Sequence, residues 1–219
     1  MEHIATFAKV LGSLFYFPVT HENNRQLCAA LRDHDAEQAS PFHDVLVAMD
    51  KETPEALAED FQQLFEGCEV MPAPPWGSVY LDKEQVIFGE STVAFRHFLT
   101  AQDMALDTGM REPEDQFGLM LLAMAQLIEG ADASQDDEAE SNEVESTEAA
   151  SETTEAQRAA ALDALLQTHL LPWAYRYLTL VQTHAQTDTY RLLAELAEAW
   201  LQVIQEEREI TPDVMKVYF

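Results

Sequence analysis

The feature that most constrains this chain is a stretch of apolar residues at helical spacing within residues 113–128. Its apolar side chains recur at i, i+3, i+4, i+7 and i+11, so a helix places them on one face. They are Phe117, Met120, Leu121, Met124 and Ile128. Pro113 suits the first turn of a helix, and Gly130 is a typical stop. The stretch therefore predicts a helix from Pro113 to Ile128 that faces the core.

Other segments show the same periodicity, and the chain holds only seven glycines. Runs rich in Ala, Leu, Glu and Gln favour helix over sheet. The sequence predicts an all-α fold of about 8–10 helices. Thr53 followed by Pro54 is a clear start signal, a capping residue before a proline at the first helical position. The further helices are expected at residues 4–17, 23–33, 43–49, 54–66, from about 91, 154–170, from 172, and about 190–204.

Residues 74–82 read PPWGSVYLD. Consecutive prolines fix φ and remove backbone donors, and Gly77 is free to adopt positive φ, so an irregular loop is expected over residues 68–89. A short hairpin between residues 79–81 and 86–88 is an alternative within it. Trp76 and Tyr80 either cap the core or form a binding surface. The rigid prolines favour a surface that is preorganised for binding.

Residues 112–117 read EPEDQF and lie at the predicted helix start. The simplest interpretation of Glu112, Glu114 and Asp115 is stabilisation by the helix dipole, worth about 0.3–1 kcal/mol each. Beside a rigid aromatic loop, the same acids would suit a peptide. The two segments together predict a peptide-binding site.

Charge and composition limit the partners. The net charge of −28 argues against nucleic acid and against anionic membrane surfaces, because both are bound mainly through Lys and Arg. No run approaches the ~20 apolar residues that span a bilayer, and the first residues lack a signal-peptide pattern. Cys28 and Cys68 are too few for a disulfide framework. A cytoplasmic protein is therefore expected. The high negative charge could also serve solubility alone, without any basic partner.

Residues 131–153 are rich in Asp, Glu, Ser, Ala and Thr and contain no aromatic residue. Such a segment is too polar to bury, so it is predicted to be a disordered insertion within one domain spanning 1–219. Residues 131–157 hold ten acids and no Lys or Arg, and the rest of the chain still carries −18. The tract is either a tolerated surface insertion or a binding segment for basic partners.

Catalytic chemistry is not indicated. The chain has no G-x-x-x-x-G-K-[ST], no G-x-G-x-x-G, no G-x-S-x-G and no H-E-x-x-H pattern. Its seven histidines are scattered, without the fixed ligand spacing of a metal site. No catalytic residue, metal site or cofactor is predicted, and the protein is not expected to be an enzyme.

Five motifs carry a resemblance to a known family. They are DFQQLF at residues 60–65, PPWGSVYLD at 74–82, FGEST at 88–92, EPEDQF at 112–117 and HLLPW at 169–173. The chain resembles the TorD/DmsD family of redox-enzyme maturation chaperones, which are cytoplasmic all-helical proteins serving molybdoenzymes. The family usually reads E-P-x-D-H, and Gln116 stands here in the place of the histidine.

The resemblance implies binding of a twin-arginine signal peptide on an unfinished, apo-molybdoenzyme. An apolar groove would take the apolar region of the leader and an acidic rim its arginines. The implied peptide-binding residues are Trp76, Gly77, Tyr80, Leu81, Phe88, Gly89, Glu112, Pro113, Asp115 and Gln116. An assembly factor for a metalloenzyme without a leader is the alternative function.

Three further expectations come with the family. The protein would be a monomer or a domain-swapped homodimer. In the dimer two subdomains would exchange about a hinge near residues 102–112, which are polar. Weak guanine-nucleotide binding is implied by the resemblance only, since the sequence offers no phosphate loop.

Overall fold

A computed structural model describes residues 2–38, 40–67, 71–105, 112–129 and 147–219. Within these ranges the protein is all-α and contains no strand, which confirms the predicted fold class. The helices are α1 (Glu2–Tyr16), α2 (Glu22–Glu37), α3 (His43–Met49), α4 (Pro54–Phe61), α5 (Gly77–Leu81), α6 (Glu90–Ala101), α7 (Phe117–Glu129), α8 (Thr147–Ala164), α9 (Leu171–His184) and α10 (Asp188–Glu207).

Local sequence signals set several helix ends. Thr53 caps α4 by accepting a hydrogen bond from the N–H of Ala56 at 3.2 Å, and Pro54 takes the first helical position, as predicted. A π-helical turn, Gln62–Glu66, continues α4 to Gly67. A second such turn, Leu165–Leu170, joins α8 to α9. Both turns bury apolar residues in the same core: Leu64 and Phe65 from the first, and Leu165, Leu166 and Leu170 from the second.

The crossing of α1 and α7 is the most extensive helix contact in the described part of the fold. Two glycines meet there: a Cβ on Gly118 would lie 2.6 Å from the carbonyl oxygen of Gly12. Real Cβ atoms do not approach a backbone oxygen so closely, so glycine is required at this crossing. Because α7 is buried on nearly every side, it is the central helix of the protein.

Aromatic side chains fill the space between α7 and α9. Phe117 packs edge-on against Phe15 at 4.9 Å between ring centroids, and against Tyr177 at the same distance. Trp173 and Tyr177, both on α9, are fully buried beside them. The predicted apolar face of α7 is buried, which confirms that it faces the core. On the outer side of α9, α10 packs against α9, α3 and α4.

Several predictions of local structure were wrong, among them the end of α2, which lies at Glu37 and not at residue 33. Helix α7 begins at Phe117 and not at Pro113, because residues 113–116 form a turn that pairs with residues 75–77. Residues 77–81 are helical, so neither an unbroken loop over 68–89 nor a hairpin is present in the described residues. Helix α8 begins at Thr147, seven residues earlier than expected, since Ala and Glu propagate a helix at low cost.

Two further predictions fall mainly outside the described residues. Residues 131–146 of the acidic tract and residues 106–111 of the hinge lie outside the residues that the structure describes. Among the helices that are described, none is long and apolar enough to cross a membrane.

Candidate functional site

The PPWGSVYLD and EPEDQF segments pair with each other. Trp76 and Gln116 form an isolated antiparallel bridge, in which the N–H of Gly77 donates to the carbonyl of Asp115 at 3.0 Å. The N–H of Phe117 donates to the carbonyl of Pro75 at 2.7 Å and so satisfies the first amide of α7. The bridge fixes the short helix α5 against the start of α7.

Asp115 is the buried carboxylate of this junction and is only 3% exposed. Its Oδ2 accepts a 2.6 Å hydrogen bond from the N–H of Ser78. Burial raises the pKa of Asp115, while the Ser78 N–H and the nearby hydroxyls of Ser78 and Thr92 oppose that rise. Oδ1 makes no hydrogen bond of standard geometry with the described residues. Asp115 therefore retains acceptor capacity for a donor that enters the site.

Glu112 and Trp76 meet at the edge of the junction. The indole Nε1 of Trp76 donates to Oε1 of Glu112 at 2.6 Å, and both side chains are half-buried. The pKa of Glu112 is raised by burial and by the charges of Asp115 and Glu66, against the effect of the indole N–H. An aromatic face and two carboxylates with raised pKa thus lie together, which suits a cationic ligand with an apolar body.

Glu114 has a different partner. It forms a bidentate ion pair with Arg96 of α6, with both N···O distances 2.7 Å. The hydrogen bonds from Arg96 lower the pKa of Glu114. Because its oxygens are already engaged, Glu114 anchors α6 to the turn and is a poor candidate for binding a ligand arginine.

A cavity of about 90 Å³ opens beside Asp115. Gly77 and Leu81 of α5 line it, and the remaining wall comes mainly from apolar side chains of other elements. They include Phe95, Met120, His169 and Met215. The cavity presents a buried carboxylate at the end of an apolar space, the arrangement expected for a small cationic or hydrogen-bond-donating group.

A wider surface groove of about 400 Å³ lies next to the cavity. Val86, Phe88 and Val93 supply exposed apolar surface there, and Phe88 is 49% exposed. Phe88 also has a φ of 61°, an uncommon conformation for a bulky residue. Acidic residues surround this apolar surface: Asp82, Glu84 and Glu90. The groove thus combines exposed apolar surface with acidic side chains.

Five of the ten predicted site residues are half-buried or exposed. They are Trp76, Leu81, Phe88, Gly89 and Glu112. Leu81 lines the small cavity, whereas Phe88 and Gly89 line the wider groove. The other five are buried: Gly77, Tyr80, Pro113, Asp115 and Gln116. Of these, Gly77 and Asp115 still reach the cavity wall.

Tyr80 has the core-packing role that the sequence left open as an alternative, whereas the packing roles of Gly77 and Gln116 were not indicated by the sequence. The Tyr80 ring stacks on Trp173 at 5.2 Å within the core. Gly77 is the first residue of α5, and a Cβ there would lie 2.9 Å from the Trp173 indole nitrogen. Close approach, and not positive φ, therefore requires glycine at this position. Gln116 caps α7 by accepting from the N–H of Leu119 at 2.9 Å.

His169 is a cavity residue that sequence reasoning missed. It is half-buried between Phe95 and Phe98, with ring centroids 5.3 and 5.0 Å away, and burial lowers its pKa. Its carbonyl oxygen accepts from the Trp173 indole at 2.9 Å. The HLLPW motif was the available signal, but only the packing of the Leu165–Leu170 turn, through the His169 ring, against Phe95 and Phe98 of α6 brings the imidazole to the cavity of Asp115.

Comparison with known proteins gives a consistent result. The nitrate reductase delta subunit family model matches residues 28–179. The Tat proofreading chaperone DmsD of Salmonella paratyphi A is 33% identical over 100% of this chain and 96% of its own. The probable Tat proofreading chaperone DmsD of Haemophilus influenzae is 29% identical, with coverage of 100% and 98%. The chaperone protein YcdY of Escherichia coli is 27% identical, with coverage of 95% and 97%.

Proposed function

The chain belongs to the TorD/DmsD family of Tat proofreading chaperones, and from this premise we propose that it binds the twin-arginine signal peptide of a molybdoenzyme. The family is one of chaperones and is non-catalytic. The protein acts before export, shielding the leader and the apo-form of its client while the cofactor is inserted. This places its work in the cytoplasm.

The observation that carries the proposal is the grouping of Trp76, Glu112 and Asp115 beside apolar surface. A twin-arginine leader has a basic start and an apolar stretch of about 7–15 residues. The guanidinium groups match the two carboxylates, since Arg pairs bidentately with carboxylate oxygens. The apolar stretch matches the groove that contains Phe88, which has an acidic rim of its own. Both parts of the leader therefore have a complementary surface.

A moderate affinity follows from these surfaces. Burying four or five apolar side chains stabilises the complex by about 8–12 kcal/mol before costs, at roughly 1.5–3 kcal/mol each. Translational and ordering entropy removes several kcal/mol or more. A dissociation constant between about 1 μM and the high nanomolar range is expected. Such a complex protects the leader and still releases it.

Titration of a fluorescent leader peptide tests the site. We expect Trp76→Ala to weaken binding at every salt concentration, because it removes apolar contact. Asp115→Asn is expected to weaken binding by about tenfold because it removes a charge pair, and this loss should change little with salt because a buried pair is only weakly screened. A leader with Lys-Lys in place of Arg-Arg should bind wild type more weakly, since lysine cannot pair bidentately.

Matched controls separate these effects from general destabilisation. Asp33→Asn changes an exposed aspartate and Val203→Ala an exposed apolar residue, both outside the candidate site. Both variants should leave the affinity for the leader unchanged. Unfolding midpoints report whether each variant is folded. Normal affinity in both Trp76→Ala and Asp115→Asn, with folding intact, would refute the site assignment.

The client itself distinguishes this function from its alternative. A chaperone for the leader should capture the precursor of a molybdoenzyme and lose it when the leader is deleted. An assembly factor that recognises the body of a metalloenzyme should capture both forms equally. Pull-down of matched precursors with and without the leader, quantified by mass spectrometry, gives opposite results for the two functions.

We also propose that the family's domain exchange is available to this chain. A swap about residues 102–112 would separate α1–α6 from α7–α10 and remake the α1–α7 crossing between two protomers. The extent of that crossing supports a stable swapped dimer. Sedimentation that finds only monomer at high protein concentration would contradict the exchange without affecting the peptide site.

A further inference from the structure

Residues 211–219 lie across the candidate site without forming a helix or a strand. The N–H of Asp213 donates to the carbonyl of Gln167 at 2.9 Å, where the segment begins to cross. At the other side, the N–H of Tyr218 donates to the carbonyl of Tyr80 at 2.8 Å. The segment therefore spans from the turn after α8 to the short helix α5, with a backbone hydrogen bond at each side.

Side chains hold the end of the segment on α5 and α9. Gln85 donates to the carbonyl of Tyr218 at 2.9 Å, and Arg176 donates through Nε to the carbonyl of Phe219 at 3.0 Å. The Phe219 ring packs edge-on against Tyr80, with centroids 5.5 Å apart. These contacts recognise backbone carbonyl groups and one aromatic ring. A peptide of different sequence could make most of them.

The same segment covers the cavity of Asp115. Met215 forms part of the cavity wall together with Gly77 and Leu81. It nevertheless remains 41% exposed, and Val214 beside it is fully exposed. One side of the segment therefore contacts the protein and the other faces outward, so its contacts are fewer than those of a core element.

The composition of the segment matches that of the proposed ligand. Val214, Met215, Val217, Tyr218 and Phe219 are apolar or aromatic, and Lys216 is the single cation among them. In a chain of net charge −28 this is an unusual local composition. Asp213 is the single acid of the segment, so residues 214–219 form a short apolar stretch with one cation, of which Met215 lines the cavity beside Asp115.

We propose that the surface beneath residues 211–219, formed by Tyr80, Leu81, Gln85 and Arg176, is a second docking surface for the apolar stretch of the leader, in addition to the groove that contains Phe88. Residues 211–219 occupy this surface in the free protein, and the leader displaces them. The inference rests on the proposed function, and it adds that residues 211–219 compete with the leader for this surface. Backbone recognition explains how one surface accepts leaders of different sequence.

Displacement has a measurable cost in affinity. When a segment of the protein occupies a site, the apparent dissociation constant rises in inverse proportion to the fraction of molecules with the site free. For a segment that occupies the site in about nine of ten molecules, release of the segment tightens leader binding by about tenfold.

The test uses the full chain with one substitution and its matched control. Tyr218→Pro removes the N–H that donates to Tyr80, whereas Val214→Pro introduces the same residue at a fully exposed position. Leader affinity is measured for wild type and for both variants. Hydrogen exchange of the Tyr218 amide is followed in wild type with and without saturating leader, which requires no variant to fold.

We expect Tyr218→Pro to bind the leader about tenfold more tightly, Val214→Pro to bind like wild type, and the leader to accelerate exchange at Tyr218. Unchanged or weaker binding by Tyr218→Pro would overturn the proposal, as would leader binding that leaves exchange at Tyr218 slow. Failure of every form to bind the leader would instead overturn the proposed function, and the docking surface would fall with it.

Discussion

The side-chain amide of Gln116 donates to the carbonyl oxygen of Phe15 at 3.1 Å, across 101 positions of sequence. The same side chain accepts from the N–H of Leu119 through its Oε1, so one residue ties the end of α1 to the start of α7. Gln116 is only 4% exposed. Where the family carries a histidine, this chain has a buried residue whose donor and acceptor are both engaged in the fold.

Gln116→Ala is therefore expected to destabilise the protein by about 2–3 kcal/mol, because it removes a helix cap and a buried hydrogen bond. Gln116→His should cost less, since an imidazole can restore one of the two bonds. Urea unfolding measures both, with Gln63→Ala as the control at an exposed glutamine. A loss below about 0.5 kcal/mol in Gln116→Ala would contradict this structural role.

The DFQQLF motif makes a similar prediction through Asp60. This buried carboxylate accepts from the N–H of Gln186 and from both the N–H and hydroxyl of Thr187, which hold the connection between α9 and α10. Asp60→Ala should cost about 3 kcal/mol or more, because it leaves the N–H and the hydroxyl of the buried Thr187 without their acceptor. The adjacent exposed residue provides the control, Glu59→Ala, which should change stability by about 0.5 kcal/mol at most. Thermal unfolding distinguishes the two.

Gly118→Ala tests the α1–α7 crossing against helix propensity. Alanine is favoured over glycine in a helix by about 1 kcal/mol, so propensity alone predicts stabilisation. The added Cβ would lie 2.6 Å from the Gly12 carbonyl oxygen and 2.8 Å from the Tyr16 nitrogen. We expect a loss of about 2–3 kcal/mol instead. Ala199→Gly, on the exposed face of α10, should lower the free energy of unfolding by about 1 kcal/mol and measures the propensity effect alone. A Gly118→Ala variant that is more stable than wild type would show that α1 and α7 are farther apart.

In the proposed site, the raised pKa values of Asp115 and Glu112 predict that the affinity for the leader depends on pH. Arginine binds the ionised carboxylates, so affinity should fall as pH falls toward these pKa values, and binding should release protons. Calorimetry in buffers of different ionisation enthalpy, from about pH 5 to 8, measures both effects. Asp115→Asn should show a flatter profile than wild type. A pH-independent affinity in wild type would argue that the carboxylates do not contact the arginines.

The same pKa directions predict an opposite effect on folding. A carboxyl whose pKa is raised in the folded state contributes stability below its unfolded pKa, and that contribution is lost as pH rises through the folded pKa. Asp115→Asn, which cannot ionise and can still accept from Ser78, should therefore be at least as stable as wild type at neutral pH. Weaker binding combined with undiminished stability separates a role in binding from a role in folding.

Sequence periodicity was sufficient for most helices because each depends on local spacing. The predicted bounds of α3, the capped start of α4 and the buried face of α7 follow from residues close together in the chain. The prediction failed where two distant segments pair. Residues 113–116 carry helix-start signals, yet the bridge between Trp76 and Gln116 holds them in a turn. A local pattern cannot include a partner that lies 40 residues away.

The candidate site, like the fold, could be predicted from the sequence only in part. The sequence by itself determined the helical class, the acidic balance and the family motifs, since composition and short-range spacing carry these properties. Only the tertiary structure decided which motif residues reach a cavity: Asp115 and Leu81 do, whereas Tyr80 and Gln116 are turned into the core. It also brought His169 and Met215 to the same cavity. Burial and contact between distant segments depend on how the helices pack, and no local pattern records that packing.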